Sequence, residues 1–225
     1  IKKALGKYIC FLDSDDKFCN SKVLREWYDS IEINGSDCEI ANFYSISNNK
    51  KSIGRVINSQ KINNLNIKDN PELVNVVSCW QILYSAKYLK ENNIYFSENL
   101  RQREDRLFVI LAFLNTEKIS YKENLYVIDH YNIESSSFTQ INIDQLKQYI
   151  QHLKELNEHF QDSKNKFNSC DDFKYANAGI YLMQFCTYWN NLVLDEIFSK
   201  NLEIIKEYFD QLYLLIKDIP PLYKN

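Results

Sequence analysis

Two hydrophobic periods alternate through the first 140 or so residues of this chain, and only one continues after them. Tyr8 to Leu12, "YICFL", is a short apolar run with aromatic and branched residues, which predicts a buried strand. Before it, Lys2 to Gly6 reads as the end of a helix closed by Gly6. After it, Asn20 or Ser21 can cap a helix that carries Val23, Leu24, Trp27 and Ile31 on one face and ends near Gly35. Cys38 to Ile46 alternates well enough for a strand. Ser47 to Asn70 is polar and Asn-rich with few core candidates, so a surface loop or weak hairpin is expected. Pro71 can start a short helix through Val76. An apolar segment around Trp80 leads into a helix near Ser85 to Asn92. In "REDRLFVILAFLN", Leu107, Ile110, Leu111 and Leu114 recur at helical spacing. Ile119 to Tyr121 and Leu125 to Tyr131 read as two paired strands joined by a polar turn, Lys122 to Asn124.

After Thr139 the strand signal stops. Asp144 to Phe160, Asp171 to Asn190 and Leu202 to Lys217 predict three helices, the last ended by Pro220 and Pro221. The expected class is therefore α/β, a mixed sheet with flanking helices over residues 1–141, followed by a helical segment over 142–225. Only one strand precedes the first acidic cluster. A phosphate-binding parallel sheet needs earlier strands, so the pattern suits either an excerpt of a larger domain or a small mixed sheet.

Composition narrows the class without changing it. The 225 residues are 45% hydrophobic and 25% charged, the range of a soluble globular chain. A net charge of −3 provides no basic field for nucleic acid. The aromatic share is 14%, with 16 Tyr, which suits wet clefts as well as half-buried strands. No apolar run approaches the length of a membrane-spanning helix. The six Cys show neither CxxC nor Cys/His zinc spacing and read as reduced, small apolar residues. The chain starts at Ile1, so the lack of a visible signal peptide carries little weight.

The candidate chemistry begins where the first strand ends. Asp13, Asp15 and Asp16 crowd three carboxylates into four positions. One of them can cap a helix or start a turn, and Asp16 suits that role. Together they repel and raise one another's pKa, and a hard cation such as Mg²⁺ or Mn²⁺ relieves that repulsion while bridging to phosphate. Strand ends are also where open α/β sheets bind ligands.

Four stretches carry a family resemblance, in order: "GKYICFLDSDD", "CWQILYSAKYLKENNIYFSENL", "REDRLFVI" and "HYNIESSSFT". They resemble the DxD strand, the Trp-to-strand segment, the EDxxF motif and the closing strand of family-2 glycosyltransferases of the GT-A fold. The resemblance covers Lys2 to about Thr139 and starts in mid-domain. It implies a partial, Rossmann-like GT-A sheet, with the family's nucleotide-binding half expected upstream of Ile1.

The resemblance implies roles. Asp13 and Asp15 would form the DxD pair at donor and metal, with Mn²⁺ or Mg²⁺ as cofactor, and Asp16 would be structural, a cap or a partner behind the metal shell. Asp105 would be the general base, with Glu104 holding the acceptor or orienting Asp105. Read locally, Glu104 and Asp105 are also ordinary first-turn residues of a helix. His130 would complete the metal shell, or is a half-buried His with a backbone partner. Trp80 would stack on the acceptor sugar, or is a core Trp. Ser137 matches a family Ser near the donor phosphates, but Asn132 stands where the family has Arg, so a cation is missing there.

The implied reaction is inverting transfer of a sugar from a nucleotide-diphosphate donor to a hydroxyl of a glycan or glycolipid, in bacterial surface polysaccharide or lipooligosaccharide synthesis. The setting would be cytoplasmic, at the inner face of the plasma membrane. Peripheral membrane association and a homo-oligomer through the C-terminal helices stay open, although no basic membrane-binding face is evident. Two rivals remain: a catalytically silent carbohydrate-binding or scaffold fragment, and a nucleotidyltransferase.

Overall fold

The computed structural model describes residues 1–48, 50–54, 57, 62–131, 143–162, 170–193 and 201–219, with the backbone alone for 184 and 186–193. Its strands are β1 (Tyr8–Ile9), β2 (Lys17–Phe18), β3 (Cys38–Ser47), β4 (Lys50–Gly54), β5 (Ile82–Ser85) and β6 (Ile119–Tyr131). Its helices are α1 (Val23–Asn34), α2 (Ala86–Glu91), α3 (Glu104–Phe113), α4 (Ile143–Gln161), α5 (Asp171–Val193) and α6 (Leu202–Ile216). Short 3₁₀ turns cover Pro71–Asn75 and Cys79–Gln81.

The sheet runs β1-β5-β3-β6-β2, with β4 paired to the far end of β3. Only β3 and β6 are parallel; the other pairs are antiparallel. β3 is central because it reads as buried on both faces, from Cys38 to Asn42. β1 is an edge strand of this sheet, two residues long, so the strand expected through Leu12 stops early. Leu12 itself is 42% exposed. An edge strand has a partner on one side only, and β1 leaves β5 after Ile9.

Lys2 to Gly6 is not helical. Gly6 lacks the left-handed backbone that closes a helix, whereas Gly35 has it at φ 61° and ends α1. α1 begins where Asn20 Oδ1 accepts the Lys22 backbone N–H at 2.8 Å. It buries Val23, Trp27 and Ile31 and leaves Leu24 largely outside. Ser85 caps α2 by accepting the Tyr88 N–H.

Two expectations fail for instructive reasons. Lys122 to Asn124 is not a turn between paired strands; β6 runs through it as one strand parallel to β3. The register slips where Ala41 pairs with Lys122 but Asn42 with Tyr126, so residues 123–125 bulge. The Asn42 side chain fills that bulge, donating to the Glu123 carbonyl and accepting from Tyr121 Oη at 2.8 Å. Within 47–70, β4 pairs antiparallel with the end of β3, and the described residues are not poor in core positions: Ile57, Leu65 and Ile67 are buried. Their apolar positions are too sparse to show a period.

Helices cover both faces of the sheet. α1 and Trp80 pack on one face with Ala41, Leu83 and Val127. The opposite face forms a larger core with α2 and α3, and the same core continues into Leu153, Phe173, Tyr208 and others of α4 to α6. The boundary expected between 141 and 142 lies outside the described residues, and no break in the core marks it. α3 is buried almost all round, from Arg106 to Ile110, as an apolar helix between two layers must be. Each buried Leu or Ile there contributes roughly 1.5–3 kcal/mol relative to exposure.

Candidate active site

The turn after β1 puts the three carboxylates at one lip of the sheet. The Asp16 N–H donates to the Asp13 carbonyl at 3.1 Å, closing the turn. Asp13, Ser14 and Asp15 are exposed. The Asp16 side chain turns inward and is fully buried. Its Oδ1 accepts the Tyr131 N–H at 2.9 Å, and its Oδ2 lies 2.9 Å from His130 Nδ1. Asp16 therefore pins the end of β6 beneath the turn. Expected as a cap or as a partner behind a metal ligand, it is in the structure the partner of His130.

His130 is also fixed by rings. It stacks on Trp80 at 5.0 Å and 21°, and Trp80 meets Phe43 edge-on at 4.8 Å. Gly54 faces Phe43 in the β3–β4 register, and a Cβ there would collide with the Phe43 ring. Trp80 is only 4% exposed. Of the two readings open for Trp80, sugar platform or core ring, its burial agrees with the core ring: His130 and Phe43 pack against it, and Trp80 supports His130.

α3 brings the second acidic pair to the same lip. Glu104 and Asp105 form its first turn, where the helix dipole favours negative charge. Asp105 is half-buried, and Cys79 Sγ donates to its Oδ1 at 3.4 Å. Burial, opposed by the Cys79 thiol and reinforced by Glu104 and Asp13, lifts the Asp105 carboxyl to about 6. Desolvation, then Asp16 and Asp15, also raise Asp13, with His130 opposing and Glu104 adding. Cys79 is pushed up by burial and by Asp105, so it is a neutral donor near neutral pH.

Asp13, Asp15, Asp16, Glu104, Asp105 and His130 thus share one electrostatic neighbourhood, built from the β1 turn, the end of β6 and the start of α3. Ser137 and Asn132 lie outside the described residues. Cys79 is the residue that sequence reasoning missed. As a lone Cys before a Trp it reads as core packing, and only the fold reveals that it faces Asp105.

Among the described residues, no three His, Cys, Asp or Glu side chains converge tightly enough to hold a metal ion by themselves. The donor chemistry still fits Mn²⁺ or Mg²⁺. Asp13 and Asp15 offer hard oxygens whose mutual repulsion a cation relieves, and such ions commonly take one or two carboxylates plus substrate phosphates and water. Asp16 on Nδ1 leaves Nε2 as the other ring donor of His130, the usual arrangement of a carboxylate-oriented imidazole ligand.

Comparison with known proteins agrees with this architecture. The family model described as Glycosyl transferase family 2 matches residues 1–92. A poly(ribitol-phosphate) beta-glucosyltransferase of Bacillus spizizenii is 32% identical over 120 residues, covering 53% of this chain and 18% of that protein. The poly(ribitol-phosphate) beta-N-acetylglucosaminyltransferase TarS of Staphylococcus aureus is 29% identical over 120 residues, covering 53% and 20%. These matches span about a fifth of the length of either relative. The crystal structure of S. aureus TarS 1–349 with UDP-GlcNAc superposes with a TM-score of 0.69 at 19% identity, over 97% of this chain and 59% of that one. That likeness establishes the fold and extends into the helical segment.

Proposed function

We propose that the chain is part of a family-2 glycosyltransferase, as the match over residues 1–92 supports, and that the protein transfers a sugar from a nucleotide-diphosphate donor to a polymer hydroxyl with inversion. The relatives act on poly(ribitol-phosphate), and a structural neighbour binds UDP-GlcNAc. A uridine-diphosphate sugar and a polyol-phosphate or related bacterial surface polymer are therefore the proposed substrates, and the cytoplasm the proposed compartment.

The observation that carries the reading is Asp105. Its carboxyl sits half-buried beside the acidic turn with a pKa of about 6. Such a group is ionised at neutral pH yet basic enough to accept a proton from an attacking hydroxyl. In this scheme Asp105 takes that proton as the acceptor oxygen bonds to the anomeric carbon. The bond from that carbon to the diphosphate oxygen breaks, and the nucleoside diphosphate leaves with the electron pair. Glu104, one position earlier in the first turn, orients the acceptor. Asp13 and Asp15, assisted by His130, would hold Mn²⁺ or Mg²⁺ at the diphosphate. The ion would supply Lewis-acid stabilisation of the leaving group.

The test is a panel of nucleotide sugars offered with Mn²⁺ and a poly(ribitol-phosphate) acceptor. Acceptor-dependent release of nucleoside diphosphate supports the proposal. Glycan binding without release from any donor would favour a silent carbohydrate-binding protein, and release of pyrophosphate would favour nucleotidyl transfer.

A further inference from the structure

The start of α3 is held from outside by the helical segment. Arg103, the residue that enters α3, has a left-handed backbone at φ 64°, rare for a residue with a side chain. Such a conformation persists only where the surroundings fix it. Here they do. The Arg103 guanidinium lies 4.0 Å from the Tyr149 ring of α4 and 5.6 Å from the Tyr181 ring of α5. Its carbonyl accepts the Leu107 N–H at 3.1 Å, the first bond of the helix.

The neighbouring contacts repeat the pattern. Two residues earlier, the Arg101 N–H donates to Gln148 Oε1 of α4 at 2.8 Å. Ser97 Oγ donates to Glu155 of α4 at 3.1 Å. Three residues later, Arg106 is buried with no carboxylate partner among the described residues; its Nη2 donates to Asn177 Oδ1 of α5 at 2.8 Å. Asn177 is fixed in turn by its bond to the Phe173 carbonyl at 2.9 Å. His152 of α4 is fully buried within the electrostatic reach of these arginines; burial first, then Arg106 and Arg103, lower its pKa to about 3. A cationic cluster built without acids is poorly suited to adding stability by charge. It is well suited to fixing geometry, because aromatic faces and amides hold guanidinium planes in one orientation.

We propose that Arg103, locked by Tyr149 and Tyr181, is a positioning residue for Asp105, so that the C-terminal helices are a working part of the transfer site rather than an appendage. The proposal rests on the reading of Asp105 as general base. Freeing Arg103 lets the first turn of α3 relax, moving Asp105 away from Cys79 and toward water. Misplacement on the scale of an ångström costs up to about a hundredfold in rate.

The experiment compares Tyr149→Leu, Tyr149→Phe and Arg103→Gly in the intact protein. Gly accepts the left-handed backbone, so Arg103→Gly removes the lock without adding strain. Two readouts are taken on folded protein: kcat against donor KM, and the Asp105 titration midpoint by carboxyl NMR. In Tyr149→Leu and Arg103→Gly, kcat should fall on the order of tenfold to a hundredfold with donor KM unchanged. The midpoint should drop, because regained water removes the largest cause of the raise and outweighs the lost Cys79 bond. Tyr149→Phe keeps the ring and should behave as wild type. If Tyr149→Leu does not fold, Arg103→Gly decides. An unmoved midpoint with unchanged kcat in the folded variants overturns the proposal. Failure of the glycosyltransferase reading would appear separately, as absence of transfer by the wild type, and the NMR midpoint would still judge the lock.

Discussion

Two carboxylates in this protein share one perturbation and meet different fates. Glu39, inside β3, and Asp105, at the start of α3, are both raised by burial. Glu39 is fully buried, and its Oε2 accepts from Ser30 at 3.1 Å, Asn34 at 2.7 Å and Ser120 at 2.8 Å. Those donors tie α1 and β6 to the central strand. Among the described residues, Asp105 receives one side-chain donor, the weak Cys79 thiol, and remains half-exposed beside Asp13. The difference teaches that a raised pKa alone does not identify a base. Glu39 has burial with convergent donors and no opening, so its job is structural. Asp105 has partial burial with a side open to water and carboxylate neighbours, so its proton can be exchanged with a substrate.

The comparison breaks most decisively at Asp105. Asp105→Asn should lower transfer by about 10²–10⁴-fold, measured as acceptor-dependent nucleotide release, while nucleotide binding by calorimetry stays nearly intact. The same variant has a stability signature. Because the folded pKa is raised from 3.8 to about 6, the native state keeps a proton that the unfolded chain has released. Native stability therefore falls as pH rises through that window. Asp105→Asn lacks this fall, so its melting temperature should gain on wild type above pH 6, and the gain should vanish below pH 4.

Glu39→Ala should do the reverse. Stranding the Ser30, Asn34 and Ser120 donors should cost about 2–3 kcal/mol of unfolding free energy in urea melts, with kcat per folded molecule preserved. A large loss of kcat at full stability would erase the distinction between the two carboxylates.

Smaller effects sharpen the account of the metal. Asp16→Asn breaks the carboxylate–imidazole pair with His130 and should weaken Mn²⁺ affinity in the presence of nucleotide by about 10–100-fold. Unchanged Mn²⁺ affinity would remove His130 from the donor set. The smallest effect belongs to Cys79→Ala. Losing a bond of about 1 kcal/mol to the ionised carboxyl should raise the Asp105 midpoint by about 0.7 unit. A downward movement would mean that the thiol does not stabilise the carboxylate.

Much of this was legible in the sequence, for identifiable reasons. α3 and the three C-terminal helices announced themselves through long apolar periodicity, and α1 through Asn20 and Gly35. The acidic turn and the Glu104–Asp105 pair were visible as unusual charge at element ends. What stayed hidden depended on contacts distant in sequence. The bulge in β6 is held by Asn42, about eighty residues earlier, so Lys122 to Asn124 could only look like a turn. Trp80 could be read as a sugar platform or as a core ring, because nothing in the sequence says that His130 and Phe43 pack against it. The pairing of Asp16 with His130, and of Cys79 with Asp105, likewise joins segments that no local pattern connects.

The central claim, that Asp105 accepts the acceptor proton, is tested most directly by the pH dependence of kcat/KM for the acceptor at saturating donor. Wild type should lose activity on the acid side with a midpoint near the Asp105 value of about 6. Asp105→Asn should retain only a low residual rate without that acid limb. An acid limb of the same midpoint in Asp105→Asn, at undiminished rate, would contradict the account and move the base to another residue.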